Sequence, residues 1–194
     1  MVQLDTSWLQ HVQKPARYTG GEYNSIVKDH STVDVTMALA FPDVYEVAMS
    51  HLGIKILYGL INRREDAAAE RVFAPWHDME GEMRKRNIPL FSLETRTPIK
   101  DFDVLAFTLQ YEMSFTNILN MLDLAGIPMY AKDRDMDFPL LVCGGPCAFN
   151  VEPIADFFDI VSLGESEEWG DEFVDLYKAE KAKGFPDGKE GFLR

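Results

Sequence analysis

Apolar residues in this chain follow two rhythms in turn. Val33, Val35, Met37, Leu39 and Phe41 recur at every second position, with small Thr36, Ala38 and Ala40 between them. A period of two marks a strand, and small residues on the second face suit a strand covered on both sides. Pro42-Asp43 breaks it. Ile54, Leu57, Tyr58 and Ile61 then keep i, i+3, i+4, i+7 spacing, which predicts a helix over residues 46–63. Residues 70–74 read as a short strand closed by Pro75, and residues 77–86 as a helix carrying Met79 and Met83. Residues 88–93 read as an edge segment, because Pro89 cannot donate to a ladder.

The alternation continues. Asp103 to Thr108 reads as a central strand, followed by a helix over 112–125 with Phe115, Ile118, Leu119 and Leu122 on one stripe. Gly126 stands where a helix-ending glycine belongs, with Pro128 just beyond. Ile127 to Ala131 is a candidate short strand. Residues 139–143 and 159–163 read as the last strands, and residues 166–183 as a helix presenting Trp169, Phe173, Leu176 and Tyr177. Strands alternating with helices imply parallel pairing and right-handed crossovers. The expectation is an α/β chain: a three-layer α/β/α domain over 33–184 with a mostly parallel five-stranded sheet, flavodoxin-like in general shape. A turn-rich arm precedes it (1–32). The tail 185–194 reads as a linker towards a further domain.

Composition narrows the partners. The chain has 194 residues, 46% hydrophobic and 26% charged, with a net charge of −13. That is an ordinary globular balance. Its acidity argues against direct nucleic-acid binding, which needs clustered Lys and Arg. No apolar run approaches the ~20 residues of a membrane span, and Met1-Val2-Gln3-Leu4-Asp5 lacks a secretory pattern. The expected setting is cytoplasmic, away from membranes.

Candidate chemistry gathers after the strands. In open α/β sheets the loops at the carboxyl ends form the ligand crevice. Leu140 to Cys143 run into Gly144-Gly145-Pro146, and Asp159 to Leu163 into Gly164-Glu165. His51 and Gly53 open the first helix beyond strand one, and Thr108, Gln110 and Tyr111 follow the central strand. These ten residues, from His51 to Glu165, are the candidate cofactor-binding set. Each has a plainer reading as a turn or a helix start. Glu165 and Glu167 also suit the positive end of a helix dipole. Pro42-Asp43-Val44-Tyr45 has no glycine cradle for phosphate after strand one. No catalytic residue and no metal ligand is assigned.

Taken in order, Leu140-Leu141-Val142-Cys143-Gly144-Gly145-Pro146, Glu152-Pro153 and Asp159-Ile160-Val161-Ser162-Leu163-Gly164-Glu165-Ser166-Glu167 resemble the cobalamin-binding-like domain that precedes the barrel of many radical-SAM enzymes. Phe41 to Gly53, Arg71 to Trp76, Leu93 to Arg96 and the Lys14-to-Asn24 arm resemble one branch of these, an uncharacterised Fe-S oxidoreductase type. The resemblance implies an N-terminal accessory domain that shapes the mouth of an active site. It also implies a C-terminal radical-SAM barrel in the same chain as partner, holding a [4Fe–4S] cluster and S-adenosylmethionine. The family's three-cysteine C-x-x-x-C-x-x-C motif is not met: Cys143 and Cys147 have its first spacing, but Asn150 holds the third position. The D-x-H-x-x-G pattern of histidine-ligated cobalamin is also absent, since Asp43 and His51 are eight positions apart. Cobalamin is thus an allowed small-molecule cofactor without a protein ligand to cobalt. The alternatives are a stand-alone flavin- or nucleotide-binding module, and a structural interaction domain with a vestigial site.

Overall fold

A computed structural model describes residues 7–194; the first residues, on which the reading of a missing secretory signal rests, lie outside the described set. Five strands form one all-parallel sheet: β1 (Val35–Phe41), β2 (Ala67–Phe73), β3 (Val104–Thr108), β4 (Leu140–Gly144) and β5 (Ile160–Val161), in the order β2-β1-β3-β4-β5. The helices are α1 (Tyr45–Ser50), α2 (Leu52–Arg63), α3 (His77–Arg86), α4 (Phe115–Ala125), α5 (Ser166–Ala182) and α6 (Gly188–Phe192). The strand order and the two helical layers give the flavodoxin-like three-layer α/β/α arrangement.

The period-two pattern of β1 is what separates the layers. Ala38 and Ala40 face a core shared with Met79 and Met83 of α3 and with Ile118, Met121 and Leu122 of α4. Val35, Met37, Leu39 and Phe41 face the other core, with Ile54, Tyr58 and Ile61 of α2 and Phe173, Val174 and Tyr177 of α5. Every residue of β1 is buried, as both-face cover demands.

Local signals and tertiary structure disagree in several places. The helix expected over 46–63 is two helices, because His51 adopts an extended conformation (φ −76°, ψ 125°) between them. β2 begins at Ala67, three residues earlier than expected, because pairing with β1 extends over seven residues. No strand forms over 88–93; a single antiparallel bridge joins Phe91 to Pro98. Nor does one form over 127–131: Ile127 enters the α4-side core and a 3-10 turn follows at Ala131–Asp133. The strand expected over 159–163 shrinks to two residues at the sheet edge. A strand that short leaves little open edge for unwanted pairing.

The opposite edge is closed differently. Lys28 of the arm donates to the Arg64 and Ala67 carbonyl oxygens (2.5 and 2.6 Å). The Leu93 amide donates to the Arg71 carbonyl (2.7 Å). Two acidic side chains are buried beside β2. Glu70 accepts from Ser92 Oγ and Thr95 Oγ1 (2.5 and 2.7 Å) and contacts His30 Nε2 at 2.7 Å. Glu94 pairs with Arg71 Nε at 2.6 Å. The tail folds back as well: Phe192 of α6 makes edge contacts with Phe173 and Tyr177, and Lys189 pairs with Asp159.

Candidate functional site: a cleft at the carboxyl edge

With the order β2-β1-β3-β4-β5, chain direction reverses across the sheet between β1 and β3, and the loops after these two strands part there. An open cavity of about 210 Å³ lies at this edge, between the sheet and helices α2 and α5. Its floor is apolar: Met37 and Leu39 of β1, Ala106 of β3 and Val142 of β4. Ile54, Leu57 and Ile61 of α2 form one wall, and Trp169 and Gly170 of α5 the other. Polar groups are confined to the mouth.

The mouth is built by hydrogen bonds between loops. His51 Nε2 lies 3.1 Å from Gln110 Oε1, and Gln110 Nε2 donates to Thr108 Oγ1 at 2.5 Å. The histidine ring leans on Phe41, with centroids 5.2 Å apart. Gly53 makes room for it, since a Cβ there would meet His51 Cε1 at 2.9 Å. The break between α1 and α2 and the glycine two residues later thus serve one purpose: they hold this imidazole over the cleft. Its Nδ1 is buried and has no hydrogen-bond partner.

Gly145 sits at φ +107°, and a Cβ there would lie 2.9 Å from the Leu109 carbonyl oxygen. Only glycine lets the turn after β4 press against the loop after β3. The contact is stitched by the Leu109 amide donating to Gly144 O (2.7 Å) and the Cys147 amide donating to Leu109 O (3.0 Å). Cys143 also touches the cleft, but burial pushes its thiol up to about 12, so it stays protonated at neutral pH. Cys147 is pushed upward too, by partial burial first and by Glu112 second. Among the described residues no group of three or more His, Cys, Asp and Glu could hold a metal ion. Two thiols fall short of the ligand set of an iron–sulfur cluster.

Eight of the ten sequence candidates line this cleft: His51, Gly53, Thr108, Gln110, Gly144, Gly145, Gly164 and Glu165. Two do not. The Tyr111 hydroxyl turns away to donate to Asp43 Oδ2 at 2.7 Å, a bond to a carboxylate that raises its pKa. Pro146 starts the 3-10 turn Pro146–Asn150 behind the glycines. The floor and the α5 wall were not read from the sequence. In the sequence Trp169 reads as part of an ordinary helix stripe, and Ser162 and Ser166 carry no signal beyond their place beside Gly164.

Comparison with known proteins now adds a decisive match. The model of the family described as "Radical SAM proteins, N-terminal" matches residues 53–194. This chain belongs to that family. It is also similar to an uncharacterised protein, MJ0966, of Methanocaldococcus jannaschii, at 28% identity over 134 residues. The match covers 68% of this chain and 24% of that protein, so the chain spans about a quarter of the length of its curated relative. The radical-SAM N-terminal match begins at Gly53, so it takes in α2, the loop after β3, the glycine turn and α5, the elements that enclose most of the cleft.

Around the cleft this radical-SAM N-terminal chain exposes large apolar side chains. Leu52, Met113, Phe149 and Leu163 are 69, 85, 77 and 63% exposed. Leu52 opens α2, while Met113, Phe149 and Leu163 lie in the segments that follow β3, β4 and β5.

Proposed function

We propose that this chain is an accessory domain of a radical-SAM protein, with a carboxyl-edge cleft that holds the ring-bearing part of a small molecule at the entrance to the parent's active site. The observation that carries this reading is the cleft: apolar within, polar only at its mouth, and placed at the topological switch point, where α/β sheets bind ligands. Cobalamin is the cofactor that the sequence resemblance names. The apolar slot suits a flat heteroaromatic group of its tail. His51 Nε2 is already engaged by Gln110, so it is not offered as a cobalt ligand. Cobalamin would supply cobalt chemistry, and this chain's residues would bind and orient it. In the parent, the [4Fe–4S] cluster and S-adenosylmethionine belong to the remaining polypeptide, since the thiols here do not suit a cluster. That remainder is the partner that the exposed rim fits, in keeping with the length of the curated relative.

Titration of the purified chain with hydroxocobalamin, followed by visible absorbance and calorimetry, tests the reading. Saturable one-to-one binding is the expected result. Ala106→Leu places a larger side chain on the cleft floor and is expected to weaken that binding at least tenfold while the circular dichroism spectrum is unchanged. Absence of binding, or binding untouched by Ala106→Leu, would remove the cleft as the site. The rim makes a separate prediction. Met113→Glu together with Phe149→Glu is expected to alter the chain's own stability by less than about 0.5 kcal/mol per site, as for surface substitutions. The same pair should disrupt association with the separately expressed remainder of the parent in a pull-down.

A further inference from the structure

Two hydroxyls on the β5 side of the mouth are left without partners. The Ser162 amide donates to the Cys143 carbonyl oxygen (2.7 Å), so residue 162 continues the β4–β5 ladder by one step. Successive strand residues face opposite sides of a sheet. Ile160 packs against the α2- and α5-side core and Val161 against the other. Ser162 therefore points with Ile160 towards the cleft, whose lining it joins. It is 8% exposed, and among the described residues its hydroxyl has no hydrogen-bond partner. Unlike His51 Nδ1, its Oγ is not sealed from solvent. Ser166, in the first turn of α5, lines the same cavity with its hydroxyl also unpartnered.

Gly144 brings these two groups to one point. It shares a face of β4 with Leu140 and Val142, which belong to the α2- and α5-side core. The place its missing Cβ would fill lies 3.6 Å from Ser162 Cβ and 3.9 Å from Ser166 Oγ. An atom-sized space thus opens between two hydroxyl-bearing side chains. The start of α5 adds donors, because its first-turn amides have no acceptor within the helix and no side chain caps them. A backbone N–H can only donate, and a serine hydroxyl can do so too. No lysine or arginine lines the cleft, so the site lacks a counter-charge for an anion. Trp169, one turn on, lines the cavity with its ring stacked on Phe173 (centroids 4.8 Å apart, planes at 17°), an aromatic surface suited to a flat ring.

We infer that Ser162, Ser166 and the uncapped start of α5 form a donor site that grips an uncharged acceptor atom, a ring nitrogen or a carbonyl oxygen, of the molecule held in the cleft. The inference rests on the reading of the cleft as a ligand site and names the chemistry that its mouth recognises. Cobalamin carries acceptors of this kind in its amides and its base. Benzimidazole and indole are the probes: they share an outline and an N–H, but only benzimidazole adds an acceptor nitrogen. Ligand-observed NMR titration of the purified chain measures both, at mildly alkaline pH where both rings are neutral. Ser162→Ala together with Ser166→Ala is expected to weaken benzimidazole about tenfold, as for the loss of two ordinary hydrogen bonds, and indole by less than about twofold. Gly144→Ala keeps both hydroxyls but fills the space between them, and is expected to weaken benzimidazole selectively as well. Circular dichroism and denaturation midpoints check the fold of each variant. Equal losses for the two probes, no loss for either, or no binding of benzimidazole at millimolar concentration overturns the inference. The hydroxocobalamin titration tells this apart from failure of the cleft. Cobalamin binding that Ala106→Leu weakens and the serine pair leaves untouched overturns the donor site alone. Selective loss of benzimidazole without any cobalamin binding upholds the donor site and removes cobalamin.

Discussion

Replacing Arg71 by methionine is expected to cost about 3–5 kcal/mol of folding stability at neutral pH, because it leaves a buried carboxylate without its counter-charge. The guanidinium sits 2.6 Å from Glu94 Oε1, donates to Ser25 Oγ at 3.2 Å and lies 4.4 Å from the centroid of the Tyr58 ring. The Glu94 side chain is fully buried. Its surroundings already raise its pKa: burial is the largest cause, offset only in part by Arg71, with Glu70 adding to the rise. A carboxyl whose pKa is higher folded than unfolded favours the folded state at low pH and loses that contribution as pH rises through the folded value. Loss of Arg71 raises the folded value further, so the deficit of Arg71→Met should be greatest near neutrality and shrink towards about pH 4, the ordinary carboxylate range. Urea unfolding at several pH values measures this. The double variant Arg71→Met with Glu94→Leu should recover most of the loss at neutral pH, because a paired removal leaves no orphaned charge. A deficit independent of pH, or no recovery in the double variant, would contradict the assignment.

Gly145→Ala is the second large effect. At φ +107° and ψ −177° the backbone occupies a region open almost only to glycine, and forcing another residue there costs of order 1–3 kcal/mol. The new Cβ would also lie 2.9 Å from Leu109 O and 3.2 Å from Leu109 N, which are backbone atoms that cannot swing aside. A loss of about 3 kcal/mol or more is therefore expected. Gly144→Ala is the control. Its Cβ would meet Ser162 O at 3.5 Å, an ordinary contact, and a change within about 0.5–1 kcal/mol is expected. Denaturation midpoints of the two variants should differ clearly. Equal midpoints would mean that the turn after β4 does not press on the loop after β3 as described. If the cleft holds its ligand as proposed, Gly145→Ala should also weaken binding, since Gln110 Nε2 lies 3.2 Å from the same point.

Much of this architecture was legible along the chain. The two-residue rhythm of β1 identified a strand buried on both faces, and the stripes of α3 and α4 marked their buried sides; on α5 Phe173 and Tyr177 are buried as the stripe required, but Leu176 is 52% exposed and Val174 takes a core position instead. Gly126 ended α4 in the left-handed conformation, as its place after the stripe required. Local chemistry was less informative where long-range contacts decide the outcome. The α1–α2 break carries no proline, yet His51 leaves the helix because Phe41 and Gln110, ten and fifty-nine positions away, hold its ring. Glu70 reads only as part of a short strand, and Arg71 and Glu94 fall in segments that carry the family resemblance without any local sign of burial. Their burial follows from β2 being an edge strand that the arm and residues 92–97 close over.

By itself, then, the sequence determined the fold class, the alternation of layers and the carboxyl-edge position of the candidate residues, because hydrophobic period and glycine–proline punctuation act over a few neighbours. The tertiary structure alone decided that Met37, Leu39, Ala106, Val142 and Trp169, which belong to or pack against the α2- and α5-side core, also border a cavity. It alone turned Tyr111 towards Asp43 and left the buried His51 Nδ1 unpartnered. The physical reason is that a cleft is a failure of two layers to meet, and whether they meet depends on side chains from β1, β3, β4, α2 and α5 together, which no local stretch of chain encodes.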